Sequence, residues 1–169
     1  LNIAADAAAT RLAAEKLAQA LPKNDAIPLP VWVSPLQRCE QLAQSLHGLR
    51  PDLTFKTESK LQEMNFGAWE GQRWDAIARS ELDAWTDNFS EWRCGGGESV
   101  SKFMLRVGQA WDAFTVSHSS GVWICHAGVI RAARLIAQGQ RRVLSASQWP
   151  AQAPAFGQWE QLEHPSAGR

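Results

Sequence analysis

"VWVSPLQRCEQLAQSL", residues 31 to 46, changes periodicity half-way along. Val31, Trp32 and Val33 follow Pro30 as a β-branched and aromatic run that suits a short buried strand, read here from Ile27 to Val33. Ser34, Pro35 and Gln37 then carry the marks of a helix start: serine at the N-cap, proline at the first helical position, and glutamine three residues after the cap as in a capping box. The spacing predicts a helix from Pro35 to about His47. Arg38 falls in its first turn, where the positive end of the helix dipole disfavours a cation by about 0.3 to 1 kcal/mol. An anion is expected opposite that guanidinium.

A second junction of the same kind lies far along the chain. "GVWICHAGVIRAARLIAQG", residues 121 to 139, reads as a buried strand, a tight turn at His126 to Gly128, and a helix ending near Gly139. Strands alternating with helices argue for an α/β fold of three layers, a mostly parallel sheet flanked by helices, with ligands bound beyond the carboxyl ends of the strands. Arg38 and His126 then converge on one edge of the sheet, where helix N-termini already attract anions. A phosphate fits that edge. Ala127 and Gly128 let backbone approach a ligand closely, and a histidine near a helix N-terminus stays neutral until an anion arrives.

The rest of the chain is read around these two junctions. Leu12, Leu17 and Leu21 recur at helical spacing between Ala4 and Leu21, before Pro22. Residues 52 to 58 alternate as a half-buried strand, residues 59 to 71 are expected to be irregular, and 72 to 88 read as one or two short helices. "GGGES", residues 95 to 99, lacks the lysine and hydroxyl residue of a phosphate-binding P-loop and reads as a flexible approach to a helix capped by Ser99 or Glu98. Val100, Phe103, Met104, Val107, Trp111 and Phe114 lie on one face of that helix. A possible strand is placed at Phe156 to Leu162, in a tail punctuated by Pro150, Pro154 and Pro165.

Composition bounds the function. A chain of 169 residues with 45% hydrophobic content fits a single domain over 1–169 with a sizeable core. Seventeen basic residues balance seventeen acidic ones, so no global field draws the protein to nucleic acid or to an anionic membrane. The nine tryptophans have no basic tract interleaved with them, which argues against single-stranded nucleic acid, and they read as core or pocket wall. Three cysteines, Cys39, Cys94 and Cys125, lack the spacing of a disulfide framework or a zinc site. With no signal-peptide pattern or membrane-spanning run, the expected location is the cytoplasm.

Each candidate has a plainer reading. Arg38 could be a solvated helix arginine paired with Glu40, His126 a structural hydrogen-bonder, and Glu63 a surface carboxylate that competes with Glu70 for any acid role.

The stretches "VSPLQRCEQLA", "LQEMNFGAWEG", "GGGES" and "CHAGVIR", in that order between positions 33 and 131, resemble the histidine phosphatase superfamily, also called phosphoglycerate mutase-like. The forms "SPLQRC", "WEGQRWDAIARSELDAW" and "PAFGQW" are similar to bacterial α-ribazole phosphatases of cobalamin biosynthesis. The resemblance implies a phosphomonoester hydrolase without metal or cofactor, acting on a small phosphate ester. A histidine forms a phosphohistidine intermediate, which water then hydrolyses. Carried over, Arg38 would clamp the phosphate, with Ser34 and Ala127 lining its site; His126 would be the second histidine, and Glu63 would protonate the leaving oxygen. Glu98 and Ser99 would border the pocket. The alternatives are a broad-specificity phosphatase, a mutase, or a phosphate-binding module without catalysis.

One departure stands out. In the family the nucleophile belongs to an Arg-His-Gly motif ending the first strand, and His47, His118, His126 and His164 do not supply it. His47 precedes a glycine, but at a helix end and after the arginine motif. The chain opens in the segment that follows that strand in relatives. The expectation is a preceding N-terminal piece carrying the motif; a truncated product and a binding module are the alternatives.

Overall fold

A computed structural model describes residues 1–23 and 27–163; His164 and Pro165 lie outside the described residues. The elements are helix α1 (Ala7–Ala20), strand β1 (Pro30–Val33), helix α2 (Gln37–Leu49), strand β2 (Thr54–Thr57), helix α3 (Arg79–Asp87), helix α4 (Val100–Ser117), strand β3 (Val122–Ile124) and helix α5 (Ala127–Ala137), with short 3-10 turns between them. The strands form a parallel sheet of order β2-β1-β3. The register sets Val33 level with Thr57 and with Ile124, so all three strands end on one edge. The outer edge of β3 has no partner among the described residues.

Alternation along β1 sorts the core onto two faces, as the pleat of a strand requires. Val31 and Val33 point to one side and pack with Ile124 under α1 and α2, where Leu17, Cys39, Ala43 and Leu46 close the layer. Trp32 points to the other side, toward α4 and α5, with Phe103, Val107, Val129 and Ile136 in the same cluster. Lys56, Trp32 and Trp123 are level across the three strands. The two indoles stack with centroids 6.5 Å apart, and Lys56 Nζ sits 4.1 Å from the Trp32 ring. This ladder ties the short strands together through side chains as well as backbone. The architecture is therefore helix, sheet, helix.

Several local readings need correction. The first helix begins at Ala7, because Asp6 Oδ1 accepts from Ala9 N at 2.8 Å and caps it. Leu12, expected on its apolar face, is 52% exposed, and Ala13, Ala14 and Leu17 bury instead. Arg50 closes the other end of α1, donating to the carbonyls of Ala18, Leu21 and Pro22 at 2.8–3.0 Å. No strand forms at Phe156–Leu162. The tail instead runs along α5, where Arg134 pairs with Glu160 and donates to Gln152 O at 3.0 Å. Gly139, at φ +84°, ends α5 as expected, with Gly139 N bonded to Ile136 O and Gln140 N to Leu135 O at 2.9 Å each.

The glycine-rich stretch is an interlock rather than a flexible approach. A Cβ on Gly67, Gly95 or Gly97 would lie closer than 3.0 Å to backbone of the facing loop: Gly95 for the first, Phe66 for the second, Asn65 for the third. Glu98 N donates to Asn65 O at 2.7 Å. Two loops thus press backbone to backbone beside the sheet edge.

Candidate active site

The carboxyl edge of the sheet gathers residues that lie far apart in sequence. Past Val33 the chain turns, Ser34 N donating to Ile124 O at 2.9 Å, and past Ile124 it reaches Cys125 and His126. Ser34 Oγ and His126 Nε2 are 2.8 Å apart across the gap between β1 and β3, and both residues are buried. Arg38 Nε donates to His126 Nδ1 at 3.2 Å. Guanidinium can only donate, so Nδ1 is the acceptor and the proton of the neutral ring sits on Nε2, directed at Ser34. Burial, with the Arg38 and Arg106 guanidiniums, pushes the His126 pKa down to about 3.

Ser34 is accordingly not the cap of α2. The helix begins at Gln37, its N-cap Leu36 offers no side chain, and Ser34 Oγ reaches Leu36 N only at 3.4 Å. The first turn is satisfied from the N-terminal segment: Gln37 N donates to Asn2 Oδ1 at 2.7 Å. Arg38 still occupies the first turn, where its Nη1 donates to the Leu1 carbonyl at 2.8 Å. These partners are a neutral carbonyl and the neutral His126 ring rather than the anion that the dipole argument expects opposite Arg38.

Glu63 completes the edge. It leaves a loop between the 3-10 turns Ser59–Leu61 and Gly67–Trp69, with Oε2 accepting from Gly128 N at 3.1 Å and Oε1 from Met64 N at 3.0 Å. His126 is the N-cap of α5 but makes no capping bond. A carboxylate from 65 residues upstream caps that helix instead. Gly128 is needed for this approach, since a Cβ there would overlap Glu63 Oε1. Ala127, half-buried, lies between His126 and this contact.

Ser99 caps α4, its Oγ accepting from Lys102 N at 3.3 Å. Glu98 pairs with Arg106 at 2.8 Å, and its Oε2 accepts from Asn65 N at 3.3 Å. Arg106, which the sequence reading passed over, lies on α4 beside the buried stripe of Phe103 and Val107. Its signal was a cation next to an apolar face, one turn beyond Phe103. Cys39 Sγ lies 3.6 Å from His126 Nε2, its thiol pushed up to about 11 by burial, so it stays protonated. Glu70 binds Phe66 N at 3.0 Å and lies in the wall of an adjacent cavity. His47 and His118 are remote from this group, packed on Phe55 and on Trp32 with Phe114.

The arrangement offers a guanidinium, an imidazole and a hydroxyl around two helix N-termini, donors suited to an oxyanion, with the Glu63 carboxylate beside them. Residues 7–153 match the histidine phosphatase superfamily, branch 1. The chain belongs to that superfamily. The superfamily fold recurs in solved structures. A mycobacterial glucosyl-3-phosphoglycerate phosphatase is 24% identical with a TM-score of 0.64, over 80% of this chain and 68% of that one. Its VO3 complex gives a TM-score of 0.67 at 24% identity, over 87% and 71% of the two chains. The protein TTHB049 of Thermus thermophilus is 27% identical with a TM-score of 0.58, over 80% and 71%. Among curated proteins no sequence match is found. These solved structures share the fold of this chain, the parallel sheet flanked by helices that positions the Arg38–His126 pair. Among the described residues, no helix is long and apolar enough to cross a membrane.

Proposed function

We propose that this chain serves a phosphomonoester hydrolase working through phosphohistidine without a metal. The observation that supports it most is the contact between Arg38 Nε and His126 Nδ1 at 3.2 Å, across 88 residues, at two helix N-termini. A phosphoryl group seated there takes hydrogen bonds from the guanidinium, from an imidazole that gains a proton beside the anion, and from Ser34 and the Ala127 backbone. In this reading the nucleophile is the histidine of the Arg-His-Gly motif that the resemblance implies, a place that none of His47, His118 and His126 takes. That nucleophile attacks phosphorus, the bond to the ester oxygen breaks, and that oxygen takes a proton from Glu63. Water then attacks the phosphohistidine, gives its proton back to Glu63, and free phosphate leaves.

For the substrate we propose α-ribazole 5'-phosphate, acted on in the cytoplasm. Besides the resemblance in "SPLQRC" and "WEGQRWDAIARSELDAW", support comes from a cavity of about 160 Å³ lined by Phe66, Trp69, Glu70, Trp74 and Ile77. Phe66 follows Glu63 by three residues, at most about 11 Å of chain, which is the reach of a nucleoside from phosphate to base. Trp74 is 56% exposed, and its ring lies against Phe66 and Trp69 edge to face. A planar base can stack on such a wall. A glyceryl phosphate, with no ring, would leave it unused.

A second reading, a phosphate-binding protein without catalysis, draws on the absence of another histidine beside His126 among the described residues. One assay separates the two. Protein made from the complete gene, without added metal, should release phosphate from α-ribazole 5'-phosphate in preference to glucosyl-3-phosphoglycerate, and Trp74→Ala should raise KM for the former. Binding of phosphate with no release from either ester overturns the enzymatic reading, and preference for the glycosyl ester overturns the substrate.

A further inference from the structure

We infer that Arg106 is the positioning residue for Glu63, and that Glu98 serves the same clamp rather than touching substrate. The inference rests on the reading of Glu63 as the acid that protonates the leaving oxygen.

A guanidinium has five N–H bonds, and Arg106 directs three at backbone carbonyls of residues 60 to 63 and two at the Glu98 carboxylate. Nε donates to Glu98 Oε1 at 2.8 Å and Nη2 to Glu98 Oε2 at 2.9 Å, a bidentate pair. Nη1 donates to the carbonyls of Lys60 at 2.7 Å and Gln62 at 2.8 Å, and Nη2 also to that of Glu63 at 3.1 Å. Glu98 Oε2 accepts from Asn65 N at 3.3 Å, and Glu98 N donates to Asn65 O. Every backbone contact of the pair thus falls on residues 60 to 65, on both sides of Glu63, and none on the Arg38–His126 edge. Residues 60 to 65 have no strand or α-helix of their own beyond one 3-10 turn; Leu61 and Met64 anchor the segment in the core, and the Arg106 bonds fix the backbone carbonyls on and before Glu63. The base of the clamp is rigid, because Arg106 leaves α4 with its guanidinium over the Phe103 ring at 4.7 Å. From that start the carboxylate reaches Gly128 N, one peptide past Ala127.

A proton donor matters only when the leaving oxygen is a poor leaving group, which gives a readout that general destabilisation does not produce. In protein from the complete gene, Arg106→Lys keeps the charge but cannot hold three carbonyls and a carboxylate together. It should lower kcat for an alkyl phosphate on the order of tenfold to a hundredfold, while p-nitrophenyl phosphate, whose phenolate leaves without a proton, falls much less. Glu63→Gln should show the same selectivity. Because Arg106→Lys could strand a buried Glu98, the double variant Arg106→Met/Glu98→Gln removes both charges and should give the same pattern. Equal losses on both esters, or no loss on either, overturn the inference. The amide resonance of Gly128 supplies a readout without turnover: it should shift in every Arg106 variant as its bond to Glu63 is lost, and an unchanged resonance overturns the inference. If the wild type hydrolyses neither ester, the phosphatase reading fails, and the Gly128 resonance alone decides whether the clamp places Glu63.

Discussion

The two strand-to-helix junctions, β1 to α2 and β3 to α5, share one backbone plan and solve the same problem with opposite charge. Each helix starts without a local cap: Leu36 offers none, and His126 makes none. The side chains that could have capped, Ser34 and His126, are turned on one another at 2.8 Å. The orphan amides are handed to distant residues, the neutral Asn2 amide at the first junction and the Glu63 carboxylate at the second. The first junction adds a cation, Arg38, against its own dipole, whereas the second accepts an anion in line with it. Local capping has been given up so that polar groups from both junctions face a common point.

The comparison can be broken most severely at the first junction. Arg38→Ala removes the guanidinium that faces His126, and phosphate affinity and turnover should fall by about 10²- to 10³-fold, as when a charge-stabilising donor is deleted elsewhere. Titration with phosphate and steady-state kinetics measure it. The corresponding break at the second junction is Gly128→Ala, where the new methyl must displace the Glu63 carboxylate. Hydrolysis of alkyl phosphates should drop by about tenfold or more, with a loss of about 1 kcal/mol in urea unfolding for the missing cap.

A pH series sharpens the difference. Native His126 stays neutral down to about pH 3, whereas an unfolded histidine takes up a proton below its ordinary value of 6.5. The unfolded chain therefore binds more protons in that window, so this stabilising contribution is whole above pH 6.5 and is lost as the pH falls toward 3. The urea midpoint of the wild type should fall more steeply between pH 7 and pH 5, both about the unfolded histidine value, than that of His126→Asn. Phosphate should oppose the trend, because an anion beside the ring favours its charged form. The smallest effect is expected from Asn2→Ala, which removes a neutral cap on the surface and should cost about 0.5 to 1 kcal/mol.

What could be read from sequence was what depends on neighbours a few residues away. The apolar stripe Phe103–Val107–Phe114 and the strands Val31–Val33 and Val122–Ile124 follow from periodicity, and the Gly139 terminus from the conformational freedom of glycine. The helix start at Pro35 was misread because Ser34 has a stronger claim on it from His126, 92 residues away. The strand at Phe156–Leu162 failed because alternation alone does not supply an edge to pair with, and the Arg134–Glu160 ion pair holds that segment along a helix instead. Arg38, Glu63 and His126 were visible as residue types in a motif order. Their meeting was visible only as a consequence of two parallel strands ending together. Arg106 left almost no trace, since a cation on an amphipathic helix reads as solvated until its five acceptors are known.

The glycine interlock between residues 65–68 and 95–97 has a bearing on how ester selectivity could diverge. Neither loop can gain a side chain at the contact without moving its partner, so the ground beneath Phe66 and Trp69 is mechanically coupled to the start of α4. Lengthening or re-routing one loop would unseat the other and, through Glu98, the residues that hold Glu63. Exchange of rings at Phe66 and Trp74 leaves the interlock untouched. If that wall receives the leaving group, as proposed, new leaving groups are most readily accommodated by repainting it, with its scaffold left standing.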